Sequence, residues 1–282
     1  MEISASEVKR LREKTGAGMM ECKNALAAAG GDFDAAEKIL KEKGLAALEK
    51  RSGRATNEGK IFVKIKDNRA VLVELSSETD FVARNPEFIA LGNAIADRIL
   101  EKGYTEPNED LTGMVNDLAA KIRENMGLKR LKTLQAASGE YLTQYIHGDG
   151  NIGVVVKMGS DKPEAFNREE VKTLAFNLAL HIAAFNPLAL DRAKIDPEFL
   201  KEQEGIFRKQ IAGDEKLQGK PEAVIEGILK GKINKYLGDI CLLEQGYVKD
   251  EKLTVAQILA DCGKQAGSQL SVNDYVYFKV GQ

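Results

Sequence analysis

The apolar residues change their spacing at Lys60, and that change divides the chain into segments that cannot share one kind of secondary structure. Before it, Val8 and Leu11, then Cys22, Ala25, Leu26 and Ala29, then Phe33, Ala36 and Leu40 recur at the spacing of a helix with one buried stripe. Gly16 and Gly18 separate the first two stripes and Gly30-Gly31 the next two, while Asp32 is placed to cap the third helix and Gly44 to end it. Three short helices are therefore expected over residues 1–53. A segment of that size has little core of its own, which suits recognition better than catalysis. Arg51 to Gly59 reads as a linker.

From Lys60 the period falls to two. Ile61, Val63 and Ile65 alternate, Asp67-Asn68 marks a turn, and Val71, Val73 and Leu75 alternate again, which predicts a hairpin with one buried face. Asn85-Pro86 is a cap followed by a first-turn proline, opening a helix with Phe88, Leu91, Ile95 and Ile99. A second helix carries Val115, Leu118, Ala119, Ile122 and Met126 on one stripe. Strands are expected near 129–136, 140–147 and 152–158.

A further helix with Val171, Leu174, Ala175, Leu178 and Ile182 stops at Asn186-Pro187. Asp196-Pro197 and Pro221 then open two helices joined by a loop with Gly213 and Gly219, an antiparallel helical hairpin over 197–237. A helix capped by Thr254 and a strand from Tyr275 to Val280 finish the chain. The expected fold class is α+β, with a helical module at 1–53, one α/β unit at 54–140, and a second at 141–282 that carries the hairpin.

Charge narrows the function. A net charge of -2 offers no broad attraction for phosphate backbones, and with no Trp and few aromatics there is no platform for stacking bases, so nucleic acid is not an expected partner. The start lacks the basic and apolar regions of a signal peptide, and no stretch approaches about 18 uninterrupted apolar residues, so a soluble, cytoplasmic protein is expected. Cys22, Cys241 and Cys262 are widely spaced among apolar residues and read as reduced packing groups.

Several chemical motifs fail on context. Gly148-Asp149-Gly150-Asn151-Ile152-Gly153 has the letters of a dinucleotide-binding loop, but a strand follows where a helix must present its amides to the pyrophosphate. These glycines read as a tight turn between antiparallel strands. Gly213 to Lys220 has the wrong spacing for a phosphate loop, with Pro221 where a magnesium-binding hydroxyl belongs. Only His147 and His181 are available, and His181 lies inside an apolar helix, as a hydrogen-bonded core histidine would. No catalytic constellation, metal site or cofactor site is expected.

Two segments carry a family resemblance. Thr15-Gly16-Ala17-Gly18-Met19-Met20-Glu21-Cys22-Lys23-Asn24-Ala25-Leu26 resembles the T-G-x-G-M-M-[DE]-C-K-x-A-L signature near the start of elongation factor Ts. Glu78-Thr79-Asp80-Phe81-Val82-Ala83-Arg84 is similar to that family's T-D-F-V segment, and it stands in a strand-to-helix connection. Read alone, Met19 and Met20 pack a core or offer an adaptable contact, and an isolated Phe81 ordinarily covers a core. Arg123-Glu124-Asn125 resembles the family's G-E-N, with Arg in place of Gly, and Tyr145-Ile146-His147-Gly148 its Y-x-H-G.

What the resemblance implies is a three-helix head similar to ubiquitin-associated domains, a coiled-coil projection at the hairpin, and a non-enzymatic exchange of guanine nucleotide on elongation factor Tu, a GTPase. It implies no direct nucleotide binding by this chain. Thr79, Asp80, Phe81 and Val82 carry over as the segment that disturbs the magnesium site of Tu. Arg12, Met19 and Met20 carry over as contacts of the head, and Ile122 and His147 as contacts near the wedge; a structural role for His147 at its strand end is the other reading. Ser76-Ser77 departs from the Asn-Cys often found before the wedge, and the chain ends at Gln282 without the extra helical module of some members. Two rival functions remain: an adaptor whose head binds a small partner, and an enzyme with an unrecognised carboxylate site.

Overall fold

In the computed structural model, which describes residues 3–282, the helical spacing before Lys60 becomes α1 (Ala5–Thr15), α2 (Met19–Ala28) and α3 (Phe33–Glu49). Positions 1 and 2 of the expected module lie outside the described residues. Ser4 and Glu7 form a reciprocal capping box that starts α1, and Gly16 ends it in the left-handed conformation. Val8, Leu11, Cys22, Ala25, Leu26, Ala36 and Leu40 form the small core. Gly44 was expected to end the third helix, yet α3 continues to Glu49. The cause is packing: a side chain at Gly44 would bring its Cβ within 2.9 Å of the Ala120 Cβ, so glycine here permits close approach of α3 to another helix.

Two compact units make up the chain, the first comprising Met1–Gln135, Ile146–Gly153 and Phe278–Gln282, the second Ala136–Tyr145 and Val154–Tyr277. In the first, β1 (Glu58–Lys66), β2 (Arg69–Ser77) and β3 (Met126–Gln135) form an antiparallel sheet in that order. Glu58 and Gly59, read as linker, already pair with Ser77 and Ser76. The one-faced hairpin needs correction. Residues directly opposite each other share a face, and Ile61 pairs with Glu74, Val63 with Leu72 and Ile65 with Ala70. Ile61, Val63 and Ile65 therefore lie on the face opposite Val71, Val73 and Leu75, and every residue from Val71 to Ser77 is buried.

The face with Phe62, Val71, Val73 and Leu75 packs against α5 (Pro86–Lys102) and α6 (Glu109–Ile122), through Phe88, Ile95, Ile99, Leu111, Val115 and Ala119. Asn85 accepts a hydrogen bond from the Glu87 amide, as its position before Pro86 requires. Met126, expected on the α6 stripe, instead opens β3, because Arg123 turns left-handed and ends the helix.

β4 (Glu140–His147) and β5 (Ile152–Ser160) are neighbours, with β8 (Leu270–Lys279) beside β5; most of each strand belongs to the second unit, and the turn 148–150 to the first. The glycine-rich segment is a tight turn with Gly148, Asp149 and Gly150 all at positive φ, so its letters serve a hairpin. β8 begins at Leu270, earlier than the expected Tyr275, and a small pair, β6 (Gly246–Tyr247) with β7 (Asp250–Thr254), had no sequence signal. Helices α7 (Glu169–Phe185), α8 (Pro197–Ala212), α9 (Glu222–Ile240) and α10 (Val255–Ala266) complete the unit. Asp196 caps α8, and Tyr236 of α9 meets Phe199 and Phe207 of α8.

His181 is fully buried in α7, its Nδ1 accepting the Val248 amide and its Nε2 therefore donating to Gln245 Oε1 at 3.0 Å. Burial holds the imidazole below its ordinary 6.5, opposed only in part by Gln245. The unfolded chain then takes up a proton that the folded chain refuses. Stability present above the unfolded value is accordingly lost as pH falls from 6.5 toward the folded pKa. Urea unfolding followed from about pH 7.5 to about pH 5 should show this decline. An imidazole seen by NMR to titrate above its ordinary value would contradict it.

Candidate functional site

The buried strand β2 ends at Ser77, and the chain must then cross to α5 within a few residues. It does so through one turn of helix, α4 (Asp80–Ala83), capped by Thr79, whose hydroxyl accepts the Val82 amide at 3.3 Å. Val82 and Ala83 join the core of the first unit. Phe81 turns the opposite way and is 81% exposed. The reading of Phe81 as a core cover is thus excluded: the ring is the most exposed large apolar side chain among the described residues.

Several bonds hold this turn. The Ser77 hydroxyl donates to the Thr79 carbonyl at 2.9 Å, and Ser76 is satisfied by Thr56, so the Ser-Ser departure leaves no buried hydroxyl unpaired. The Thr79 hydroxyl donates to both oxygens of Glu124, at 3.1 and 3.0 Å. Glu78 accepts the Asn125 amide at 2.6 Å and pairs with Arg54 at 3.2 Å; the Asn125 amide first, then Arg54, holds its carboxyl below the usual range. Asp80 forms an exposed pair with Arg84 at 3.2 Å.

Met19 and Met20, exposed by 45% and 65%, open α2. Glu21 follows them, accepting the Gly18 amide at 2.8 Å and pairing with Arg123. The Gly18 amide and then Arg123 lower its pKa. Arg123 has φ 68, a conformation glycine enters freely, so a side chain here carries a cost of roughly 1 to 2 kcal/mol. Its pairing with Glu21 offsets part of that cost. Ile122, partly buried, ends α6 beside this segment.

The structure therefore brings Met19, Met20, Thr79 to Val82 and Ile122 into one region of the first unit, linked through residues 123–125. His147 is exposed at the end of β4, next to the turn in which Lys60 bonds Asp149 at 2.7 Å. Lys60 chiefly, and Arg84 to a smaller extent, lower the Asp149 pKa, so the turn lies within electrostatic reach of α4. Arg12 is exposed in the last turn of α1, outside this network. Glu21, Glu78 and Glu124 had no assigned role from sequence. Apart from the bond of Glu21 to the Gly18 amide, which is local, the partners that tie them into this region lie 102, 47 and 45 positions away, beyond any capping signal.

Among the described residues no group of His, Cys, Asp and Glu could hold a metal ion, and no helix is long and apolar enough to cross a membrane. What the site offers is a projecting aromatic ring on a braced turn, with two exposed thioethers on a neighbouring helix.

A family model described as "Elongation factor TS" matches residues 78–282. Elongation factor Ts of Treponema denticola is 50% identical over 281 residues, covering 100% of this chain and 99% of the relative. That of Treponema pallidum (strain Nichols) is 46% identical over 292 residues, with 100% and 99% covered, and that of Borrelia hermsii 42% over 282, with both chains fully covered.

Proposed function

The chain belongs to the elongation factor Ts family, and from that membership we propose that it drives nucleotide exchange on elongation factor Tu by inserting Phe81 into the partner. As a family member it is the exchange factor of translation elongation in the cytoplasm, and it acts by binding rather than by bond chemistry. The observation that carries the wedge reading is the contrast between Phe81, 81% exposed, and its buried neighbours Val82 and Ala83. An apolar ring held out in water by a braced turn gains free energy only when a partner covers it.

Burying one Phe is worth roughly 1.5 to 3 kcal/mol. That corresponds to about ten- to a hundredfold in an equilibrium constant. A wedge alone is too weak to expel a tightly held nucleotide, so most of the loss arises inside Tu, as its magnesium and phosphate contacts to GDP are displaced. The wider interface offsets that distortion. Met19 and Met20, flexible and exposed, supply adaptable apolar contact for the head, with Arg12 as an exposed cation on the same module. Asp80 and the Val82 backbone keep the turn in register, and Ile122 and His147 border the wedge.

In this reading residues 1–53 act as a head similar to ubiquitin-associated domains, 54–140 carry the wedge, and 141–282 carry a coiled-coil projection built from α8 and α9. The ring contacts of Tyr236 with Phe199 and Phe207 support that pairing. Linkage requires GDP to weaken binding of this chain to Tu by the factor by which this chain weakens GDP binding. Release of a fluorescent GDP from Tu by catalytic amounts of the protein tests the function. Acceleration is expected, and its absence would remove the exchange reading and leave the adaptor.

A further inference from the structure

A helix of one turn has nothing to propagate, since ordering its first turn is unfavourable and later turns normally repay it. α4 spans only Asp80–Ala83, so the direction of Phe81 depends on groups outside that helix. Burial of Val82 and Ala83 fixes one side. The cap fixes the other, and it rests on a single hydroxyl. Thr79 Oγ1 has one proton, and directing it to Glu124 at 3.0 and 3.1 Å leaves its lone pairs for the Val82 amide. The ionised acceptor makes this bond stronger than a neutral one.

Glu124 is itself held at both ends. Arg123 before it turns left-handed and pairs with Glu21, and Asn125 after it donates its amide to Glu78 and its side chain to the Arg54 carbonyl at 2.8 Å. A partly buried carboxylate between two anchored neighbours is a stiff reference point. We propose that Glu124 is a positioning residue for nucleotide exchange, aiming Phe81 through the Thr79 hydroxyl. This rests on the wedge reading, and it adds a residue that never needs to touch Tu.

The test is steady-state release of fluorescent GDP from Tu by the full-length chain, with kcat and KM determined separately. Glu124→Ala should lower kcat about three- to tenfold, the scale of one lost ordinary hydrogen bond and less than the loss of the ring itself, with little change in KM. Glu124→Gln keeps an acceptor oxygen for Thr79 and should recover most of the rate. In a Phe81→Ala background, Glu124→Ala should cost nothing further, since there is no ring left to aim. Thermal melts of each variant exclude loss of the fold, and Glu124→Gln serves where Glu124→Ala melts early. Full kcat in Glu124→Ala overturns the proposal while leaving the wedge intact. So does equal loss in the Ala and Gln variants, or a loss that adds to that of Phe81→Ala. A Phe81→Ala variant as fast as wild type overturns both the wedge and the positioning role.

Discussion

Phe81→Ala is expected to slow GDP release from Tu about ten- to a hundredfold, the equivalent of one buried aromatic ring. The same substitution should leave the stability of the chain within about 0.5 kcal/mol, the usual range for a surface change. Both halves of the expectation follow from exposure. The ring is 81% exposed in the folded chain, so folding gains little from it, and removing it opens no cavity. The turn that carries it is held by Thr79, Glu124, Val82 and Ala83, none of which depends on the ring. Stopped-flow release of a fluorescent GDP, alongside a thermal melt, measures the two quantities on the same preparation. Phe81→Leu should fall between wild type and alanine, because it retains part of the apolar area. Exchange unchanged in Phe81→Ala would refute the wedge.

Gly92→Ala is expected to destabilise the first unit by about 1 to 2 kcal/mol, against what helix propensity predicts. In the interior of α5, replacing glycine by alanine should gain about 1 kcal/mol from reduced backbone freedom in the unfolded chain. The tertiary structure reverses the sign. A Cβ at Gly92 would lie 2.2 Å from Cε2 and Cζ of Phe62 and 2.4 Å from Cε1. That ring is itself buried and stands 6.2 Å from the Phe88 ring, so it has no open space to enter. Overpacking of this kind costs roughly 1 to 3 kcal/mol or more. Urea midpoints should therefore fall for Gly92→Ala and recover in part when Phe62→Leu is added. A higher midpoint for Gly92→Ala alone would show that β1 and α5 can separate at no cost.

The two cases show which features could be read from the chain itself. Asn85-Pro86, Asp196-Pro197 and the Thr254 cap all start helices where their sequence signals place them. Each acts through a bond within three residues, so a short window contains the whole cause. The segment Thr79 to Val82 could be located in the same way, as the connection between a buried strand and a capped helix. Features decided by distant neighbours were not readable. Gly44 has the letters of a helix stop, but α6 packs against it and α3 continues. Met126 has the spacing of the α6 stripe, but the strand ladder with Ser77 claims it. Within the hairpin, both strands alternate, and only the register of the turn put Ile61 and Val73 on opposite faces.

By itself the sequence determined the order and kind of the main helices and strands, the family to which the chain belongs, and the place of Thr79 to Val82 between strand and helix, but not the small β6–β7 pair. Periodicity and capping are local, and they survive in a string of residues. The tertiary structure decided that Phe81 points into water while Val82 and Ala83 point inward, and that Glu124 holds the cap from 45 positions away. Exposure and long-range hydrogen bonds depend on what the rest of the chain brings alongside, and that is fixed only when the sheet, α5 and α6 have closed around a common core.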